Sequence, residues 1–470
     1  MSTKKQPDNN VEPIRTLEEA VDFIRILVER LDQQGVELGH LRTENAKLRD
    51  EIARLKKNSS TSSKPPSSDI TKPKSEQRQP GKRKRGGQPG HKGAWRMNVE
   101  PDEVRELHLD CCPECGSGFL GAEDDNIKIL QQAELVVKPV EVVEYRQHGR
   151  YCQCCGVVQY PSLPEGVIPG QVLGPQLLSL CGYMKSTMGV SISDIKAFFD
   201  DVLGCPIARS TVQNSIFRVS AALAQSHEEV LKELPKQQSL NIDETGWKDN
   251  GQRHWVWAFC TKLIACFVIR DSRGCKVLRD ILGETFDGAL TSDFYSAYVC
   301  YATTIQQFCL AHLIRDIKFL TTLPSLEAKD FGHKILEYMR EIFTLWHQRK
   351  DHTPEQFEKR ATDIKTSLGT YISTLEFVKG SDPNRILKRM LKHWDSIFRF
   401  IKYPTLLEPT NNSAERAQRN LVRLRRGSQG SRGTSGQQWN ARAATVVASC
   451  RLQQRNPWHF IQAAVLAHFF

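Results

Sequence analysis

The chain has 470 residues, 39% of them apolar, with a formal net charge of +11 and a pI near 9.0. That length exceeds one ordinary domain and predicts three or more joined by linkers. The basic balance favours a polyanionic partner, because each Lys or Arg set on a phosphate releases a counterion. No run reaches the ~18 to 20 uninterrupted apolar residues of a membrane span. No apolar signal region follows the polar N-terminal residues. A cytoplasmic protein with no membrane partner is expected, its fourteen cysteines serving as thiols or metal ligands instead of disulfides.

Residues 14–57 carry a heptad pattern. Ile24, Leu31, Leu38, Asn45 and Ile52 recur at seven-residue steps, and Leu27, Gln34, Leu41, Leu48 and Leu55 recur three positions later. These are a and d positions of a coiled coil, with Asn45 at an a position to fix register and oligomer state. Gln34, Gly35 and Gly39 weaken the middle of the seam. A homo-oligomer joined through this helix is expected. Residues 58–100 are rich in Ser, Pro, Gly and charge and read as a basic flexible linker. Its run Lys82, Arg83, Lys84 and Arg85 suits DNA phosphates.

Residues 101–165 form a cysteine module. Cys112 and Cys115, then Cys152 and Cys155, make two CxxC pairs, each followed by glycine. Two intervening residues let both thiolates reach one tetrahedral ion, and the glycine permits the tight turn after them. A zinc ribbon with four protein ligands and a structural Zn²⁺ is expected. Cys111 and Cys154 stand beside these as alternative ligands.

Residues 170–235 read as helical. Ile192 to Leu203, Gly204, and Ala208 to Val219 suggest helix, tight turn, helix. A helix-turn-helix there would present Arg209, Ser210, Gln213 and Asn214 to a DNA groove, and a plain helical bundle is the competing reading. Residues 237–320 change to short strand-like runs rich in Val, Ile, Phe and Trp. Residues 321–408 return to helical spacing, with Phe331, Ile335, Leu336, Met339, Ile342 and Phe343 on one stripe. Residues 409–433 read as a helix start followed by an Arg-rich, Gly-containing loop, and residues 434–470 as helical.

Three carboxylates stand out. Strand alternation puts Leu240 and Ile242 on one face and Asp243 on the other. A carboxylate inside an apolar strand is costly unless it is paired or binds a metal. Asp293 closes a second strand-like run about 50 residues on, and Glu415 follows a helix start with Asn412 or Ser413 as cap. Two aspartates on strands and a glutamate on a helix can hold two Mg²⁺ ions about 4 Å apart for phosphodiester transfer. Oxygen ligands suit this hard cation, with Mn²⁺ as a substitute. Glu244 should point away from Asp243 and is not expected to be a ligand. Arg416 and Arg419 follow Glu415 closely enough to bind the scissile phosphate or to orient the carboxylate. Arg423, Arg425 and Arg426 belong to the expected phosphate-binding loop. Cys309 and His312 share one turn and suggest a structural role, or a histidine near the catalytic phosphate.

The chain resembles transposases of the IS66 family of bacterial insertion sequences. The motifs are the N-terminal zipper, Asn58-Ser59-Ser60 through Asp69, Gly86 through Gly93 and the paired knuckles. They continue with Asp243-Glu244-Thr245, Ser292-Asp293, Cys309-x-x-His312 and Asn411-Asn412-x-Ala414-Glu415-Arg416. Thr410 and the segment Leu180 to Val190 depart from the family pattern. The resemblance implies a multidomain α+β protein whose RNase H-like α/β catalytic core carries a DDE triad at Asp243, Asp293 and Glu415, interrupted by a mostly helical insertion. It also implies DNA partners, namely the element's terminal inverted repeats and target DNA, and accessory proteins encoded by the same element. A junction resolvase or ribonuclease, or a zinc-ribbon regulator without catalysis, are the readings to be told apart from it.

Overall fold

The computed structural model describes residues 16–62, 102, 104, 114, 117, 139–154 and 157–470. The described parts of residues 1–73, 175–189 and 216–470 form one compact unit, and those of 74–174 and 190–215 form a second. The protein is of mixed α and β structure. No described helix is long and apolar enough to cross a membrane.

Helix α1, Leu17–Leu55, opens on a capping box in which the Thr16 hydroxyl and the Glu19 carboxylate each accept the other's backbone N–H. None of its residues is buried, and its a and d residues Ile24, Leu31, Leu41, Leu48 and Ile52 face solvent. Its last turns are tied down. Arg54 pairs with Asp382 at 2.8 Å, and the Lys57 ammonium sits 4.0 Å from the Phe319 ring centre.

In the second unit, β1, Arg150–Cys152, pairs antiparallel with β2, Val157–Gln159. Cys152, the first cysteine of the second CxxC segment, lies opposite Val157. Cys112, Cys115 and Cys155, the linker from residue 63 on and Lys82 to Arg85 lie outside the described residues. The helical stretch follows as α2, Pro175–Tyr183, a π-helical turn at Met184–Met188, α3, Ile192–Asp201, α4, Arg209–Ala222, and α5, Ala224–Glu233. Gly204 takes φ +60° between α3 and α4, a left-handed turn that glycine tolerates without cost. On α4, Arg209, Ser210 and Asn214 are exposed and Gln213 is half-buried, while Val212, Ile216 and Val219 are buried.

The first unit is built on one five-stranded sheet. Its strands are β3, Ser239–Asp249, β4, Gln252–Cys260, β5, Ala265–Arg270, β6, Thr285–Ser292, and β7, Ala302–Phe308. Short helices α6, Lys276–Leu282, and α7, Ser296–Val299, flank β6 in sequence. The spatial order is β5-β4-β3-β6-β7, with β3, β4 and β5 antiparallel and β6 and β7 parallel to β3. Asn250 and Gly251, both with positive φ, make the tight β3–β4 hairpin turn, the dipeptide such turns favour.

After β7 come α8, Leu310–Leu320, α9, Leu326–His347, α10, Pro354–Ser373, α11, Asp382–Lys392, and the short α12, Trp394–Ile397, and α13, Arg399–Lys402. The expected stripe on α9 is real: Phe331, Ile335, Met339 and Ile342 are buried and pack with Phe357, Leu368 and Phe400, with Leu336 and Phe343 half-buried beside them. The chain returns to the sheet as α14, Asn412–Ser428, α15, Thr434–Leu452, and α16, Pro457–Phe469.

The sheet has an apolar layer on each face. Leu240, Ile242, Trp257, Phe259 and Leu290 join Val277 and Leu278 of α6 on one side. Trp247, Val256, Ala258 and Phe267 meet Ala414 and Leu421 of α14 and Ala444 of α15 on the other. Edge strand β5 does not expose its amides. Thr445 Oγ1 accepts from the Phe267 N–H at 3.0 Å and Ser449 Oγ from the Ala265 N–H at 3.1 Å. Side chains of α15 thus do what a sixth strand would otherwise do at this edge.

Candidate active site

The parallel pairing of β3 with β6 aligns Ser239 with Ala289, Leu240 with Leu290 and Asn241 with Thr291. Asp243 stands two residues beyond the last pair on β3, and Asp293 two residues beyond it, just past the end of β6. Neighbouring strands lie about 4.8 Å apart, and the charge of Asp293 acts on Asp243, so the two carboxylates lie close together. Ile242 is fully buried in the layer on one face, and the alternation turns Asp243 toward the other, where α14 is seated. Glu415 stands in the first turn of that helix.

Electrostatics reflect this gathering. Burial raises the Asp243 carboxyl well above its ordinary value, and the charges of Glu244, Asp293 and Glu415 push it the same way. Asp293 is raised by burial and by Glu415, against the N–H of Tyr295, which its Oδ1 accepts at 2.8 Å. Acids that oppose one another's ionisation in a half-buried setting call for a cation, and an all-oxygen donor set suits Mg²⁺ or Mn²⁺.

Glu244 behaves differently. It lies on the opposite face, with only 1% of its side chain exposed. It accepts a hydrogen bond from Arg273 Nε at 2.6 Å and another from the Tyr298 hydroxyl. Those bonds occupy the carboxylate, consistent with a buried ion pair and not with a ligand.

Glu415 is placed by contacts from α8 and from the residue that precedes α14. Arg315 Nη2 and His312 Nε2 approach the same oxygen, Oε1, at 3.4 and 3.7 Å. His312 is buried, and burial together with the charges of Arg315 and Arg389 lowers it to about 3, so the imidazole is neutral at ordinary pH. Cys309, His312 and Glu415 offer sulfur, nitrogen and oxygen within 4.8 Å of one another. The Arg315 guanidinium beside Glu415 already supplies a positive charge there.

Asn411 fixes the helix to the strand. Its Nδ2 donates to the Ile242 carbonyl at 2.7 Å, its Oδ1 accepts from Asn241 Nδ2 at 3.1 Å, and its N–H reaches Cys309 Sγ at 3.1 Å. The expected caps, Asn412 and Ser413, do not cap α14; Asn411 holds that position, but its amide is spent on β3 and caps nothing.

The arginines C-terminal to Glu415 occupy different places from those expected. Helix α14 continues to Ser428 and ends where Gln429 turns left-handed at φ +59°, so Arg423, Arg425 and Arg426 lie on a helix and not in a loop. Arg and Leu favour helix strongly enough to carry it past Gly427, near the end where glycine costs least. Arg416, Arg419 and Arg426 are exposed. Arg423 donates to the Thr187 carbonyl and to Asn420 Oδ1, each at 2.9 Å. Arg425 donates to the Gly246 carbonyl and to Thr245 Oγ1. The guanidinium at Glu415 is therefore that of Arg315, which spacing alone could not reveal because it lies 100 positions away.

Three similarities bear on identity. Residues 5–97 match a family of unknown function, DUF6444. Over 400 residues, 77% of this chain and 71% of the other, the protein is 22% identical to the uncharacterized protein y4hP of Sinorhizobium fredii. Residues 170–439, more than half of the chain and including the sheet, the helical insertion and all three clustered carboxylates, match the model of the Transposase IS66 family. The chain belongs to the IS66 family of transposases.

Proposed function

We propose that this transposase cuts and joins DNA at Asp243, Asp293 and Glu415, as a Mg²⁺-dependent DDE enzyme with an RNase H-like core. The observation that supports the reading is the β3–β6 pairing, which brings Asp243 of β3 and Asp293 just past β6 near each other, with Glu415 in the first turn of α14, the helix seated on the Asp243 face. Asp243, Asp293 and Glu415 would hold a Mg²⁺ pair, which would activate the attacking oxygen and stabilise the leaving one. The protein's own part is to hold the three carboxylates together. Asn411 ties the start of α14 to β3 beside Asp243, the Tyr295 N–H orients Asp293, and Arg273 with Tyr298 retains Glu244 on the far face. In the first step water attacks at the element end; in the second the freed 3′-hydroxyl attacks target DNA.

The other parts fit a DNA-handling assembly. The exposed apolar seam of α1 suits a parallel partner helix from a second copy, making the homo-oligomer. The hairpin turn at Cys152 suits a zinc knuckle completed by Cys112, Cys115 and Cys155, with Zn²⁺ in a structural role. Arg209 and Gln213 on α4, the Lys82 to Arg85 run, and the exposed Arg416, Arg419 and Arg426 are the surfaces offered to element ends and target DNA.

The test is cleavage of DNA carrying the element's terminal repeats by the full chain, with any accessory proteins the element encodes, in Mg²⁺. Glu415→Gln is expected to abolish it while binding persists. Cleavage by that variant at the wild-type rate removes Glu415 from the triad. Binding with no metal-dependent cleavage by the wild type favours a regulator instead.

A further inference from the structure

Among the described residues, two arginines whose charges act on Glu244 or His312 are committed. Arg273 is bonded to Glu244 at 2.6 Å, and Arg389 pairs with Asp316 at 2.7 Å. Arg315 is not held in this way. Its contact with Glu415, 3.4 Å, is at the long limit of a hydrogen bond, and its Nε is buried with no partner. A guanidinium has five N–H donors in a planar fork that matches a phosphate. About a quarter of the Arg315 side chain is exposed, 26%, so it reaches solvent from the wall of the site. Its charge acts on Asp293 as well as on Glu415, which places it beside two members of the triad.

We propose that Arg315 binds a non-bridging oxygen of the scissile phosphodiester and is a catalytic residue of this enzyme. In the metal-free protein it rests on Glu415 Oε1, and it turns to the phosphate when that carboxylate takes up its cation. During transfer the bond from phosphorus to the incoming oxygen forms as the bond to the leaving oxygen breaks. The incoming oxygen gives up its proton to solvent, and the leaving oxygen is neutralised from solvent. Arg315 exchanges no proton; it supplies charge and two donors to oxygens that gain negative charge in the transition state. The inference rests on the triad reading proposed above.

The experiment compares wild type, Arg315→Ala, Arg315→Lys and Glu415→Gln on element-end DNA in Mg²⁺. Each is assayed on natural DNA and on DNA with a methylphosphonate at the scissile linkage, where a methyl group replaces one charged oxygen. Arg315→Ala should slow cleavage of natural DNA about 100-fold, the typical loss for one charge-stabilising donor. Its rate relative to wild type should recover to within about fivefold on methylphosphonate DNA, since the charge it served is gone. Arg315→Lys should fall between, and Mn²⁺ affinity should be unchanged or tighter in both. An equal loss on both substrates, with weakened Mn²⁺ binding, would mean that Arg315 only positions Glu415 and overturns the proposal. Wild-type rates for Arg315→Ala beside an inactive Glu415→Gln overturn it while the triad stands. An active Glu415→Gln overturns the triad itself. If Arg315→Ala does not fold, Arg315→Lys carries the same comparison.

Discussion

The side-chain amide of Asn411 donates to the main-chain carbonyl of Ile242 at 2.7 Å, across 169 positions of sequence. Asn411 is fully buried, and Ile242 immediately precedes Asp243. With the Asn241 bond to Asn411 Oδ1, this contact ties the strand that carries one acid to the helix that carries another. Asn411→Ala leaves the Ile242 carbonyl and the Asn241 amide without their partner. A loss of about 1–3 kcal/mol is expected for each unsatisfied buried group. Urea unfolding should show the lowered stability, and cleavage of element-end DNA should fall further than stability alone explains. Wild-type cleavage by a folded Asn411→Ala would remove the brace from the mechanism.

The carboxylates make the protein's stability depend on pH and metal together. Asp243 and Asp293 are raised above their ordinary values, so the folded state binds these protons more tightly than the unfolded chain. Their contribution is present in acid and is lost as pH rises through the raised values. On the proposed reading, Mg²⁺ binding would offset that loss and displace protons. The Mg²⁺-induced rise in Tm should therefore grow as pH rises through the raised values of these carboxyls. It should vanish in Asp243→Asn, whose metal-free form should melt higher than wild type at about pH 8. Thermal melts of both proteins with and without Mg²⁺ decide the matter, and a pH-independent Mg²⁺ effect would contradict it.

His312 titrates in the opposite sense. Burial and the nearby arginines hold it down at about 3 from the ordinary 6.5. The unfolded chain takes up this proton first, so stability falls as pH drops from 6.5 toward 3. His312→Asn removes that dependence. The difference in urea midpoint between wild type and variant should widen steadily over this range; parallel curves would show that His312 is not neutral in the fold.

Helix α1 exposes Leu41 at 53% and Leu48 at 51%, both at d positions of the same seam. Leu41→Asp with Leu48→Asp puts charge where knobs should enter holes. Light scattering after gel filtration should show the wild type as an oligomer and the double variant as a monomer that still binds DNA. An unchanged mass would place the oligomer contact elsewhere.

Local rules read much of this chain correctly. The alternation of Leu240, Ile242 and Asp243 is the alternation observed, and the apolar stripe from Phe331 to Ile342 is the buried face of α9. The helix–turn–helix segment was legible because Gly204 supplies the one left-handed residue between two amphipathic runs. What failed were inferences about partners distant in sequence. Arg315 and Glu415 meet across 100 residues, and nothing local to either predicts it. The same holds for the caps: Asn411 looks like any residue ahead of a helix until β3 is seen to claim its amide. The arginines after Glu415 misled for another reason. Glycine among them signalled a loop, yet the strong helix formers around Gly427 outweigh one glycine near a helix end.

The helical insertion also governs when this enzyme comes into being. Strands β3 to β7 leave the ribosome first, but Glu415 follows only after α9 to α13. The Trp247 indole then waits for Ser431, 184 positions downstream, as its partner at 3.0 Å. Such long closures are entropically costly and slow. A nascent chain that has reached only the insertion therefore carries Asp243 and Asp293 without Glu415, and without the helices that cover one face of the sheet. On the reading proposed above, the set of three acids is completed only after the helical insertion has been made, so the order of synthesis delays the activity.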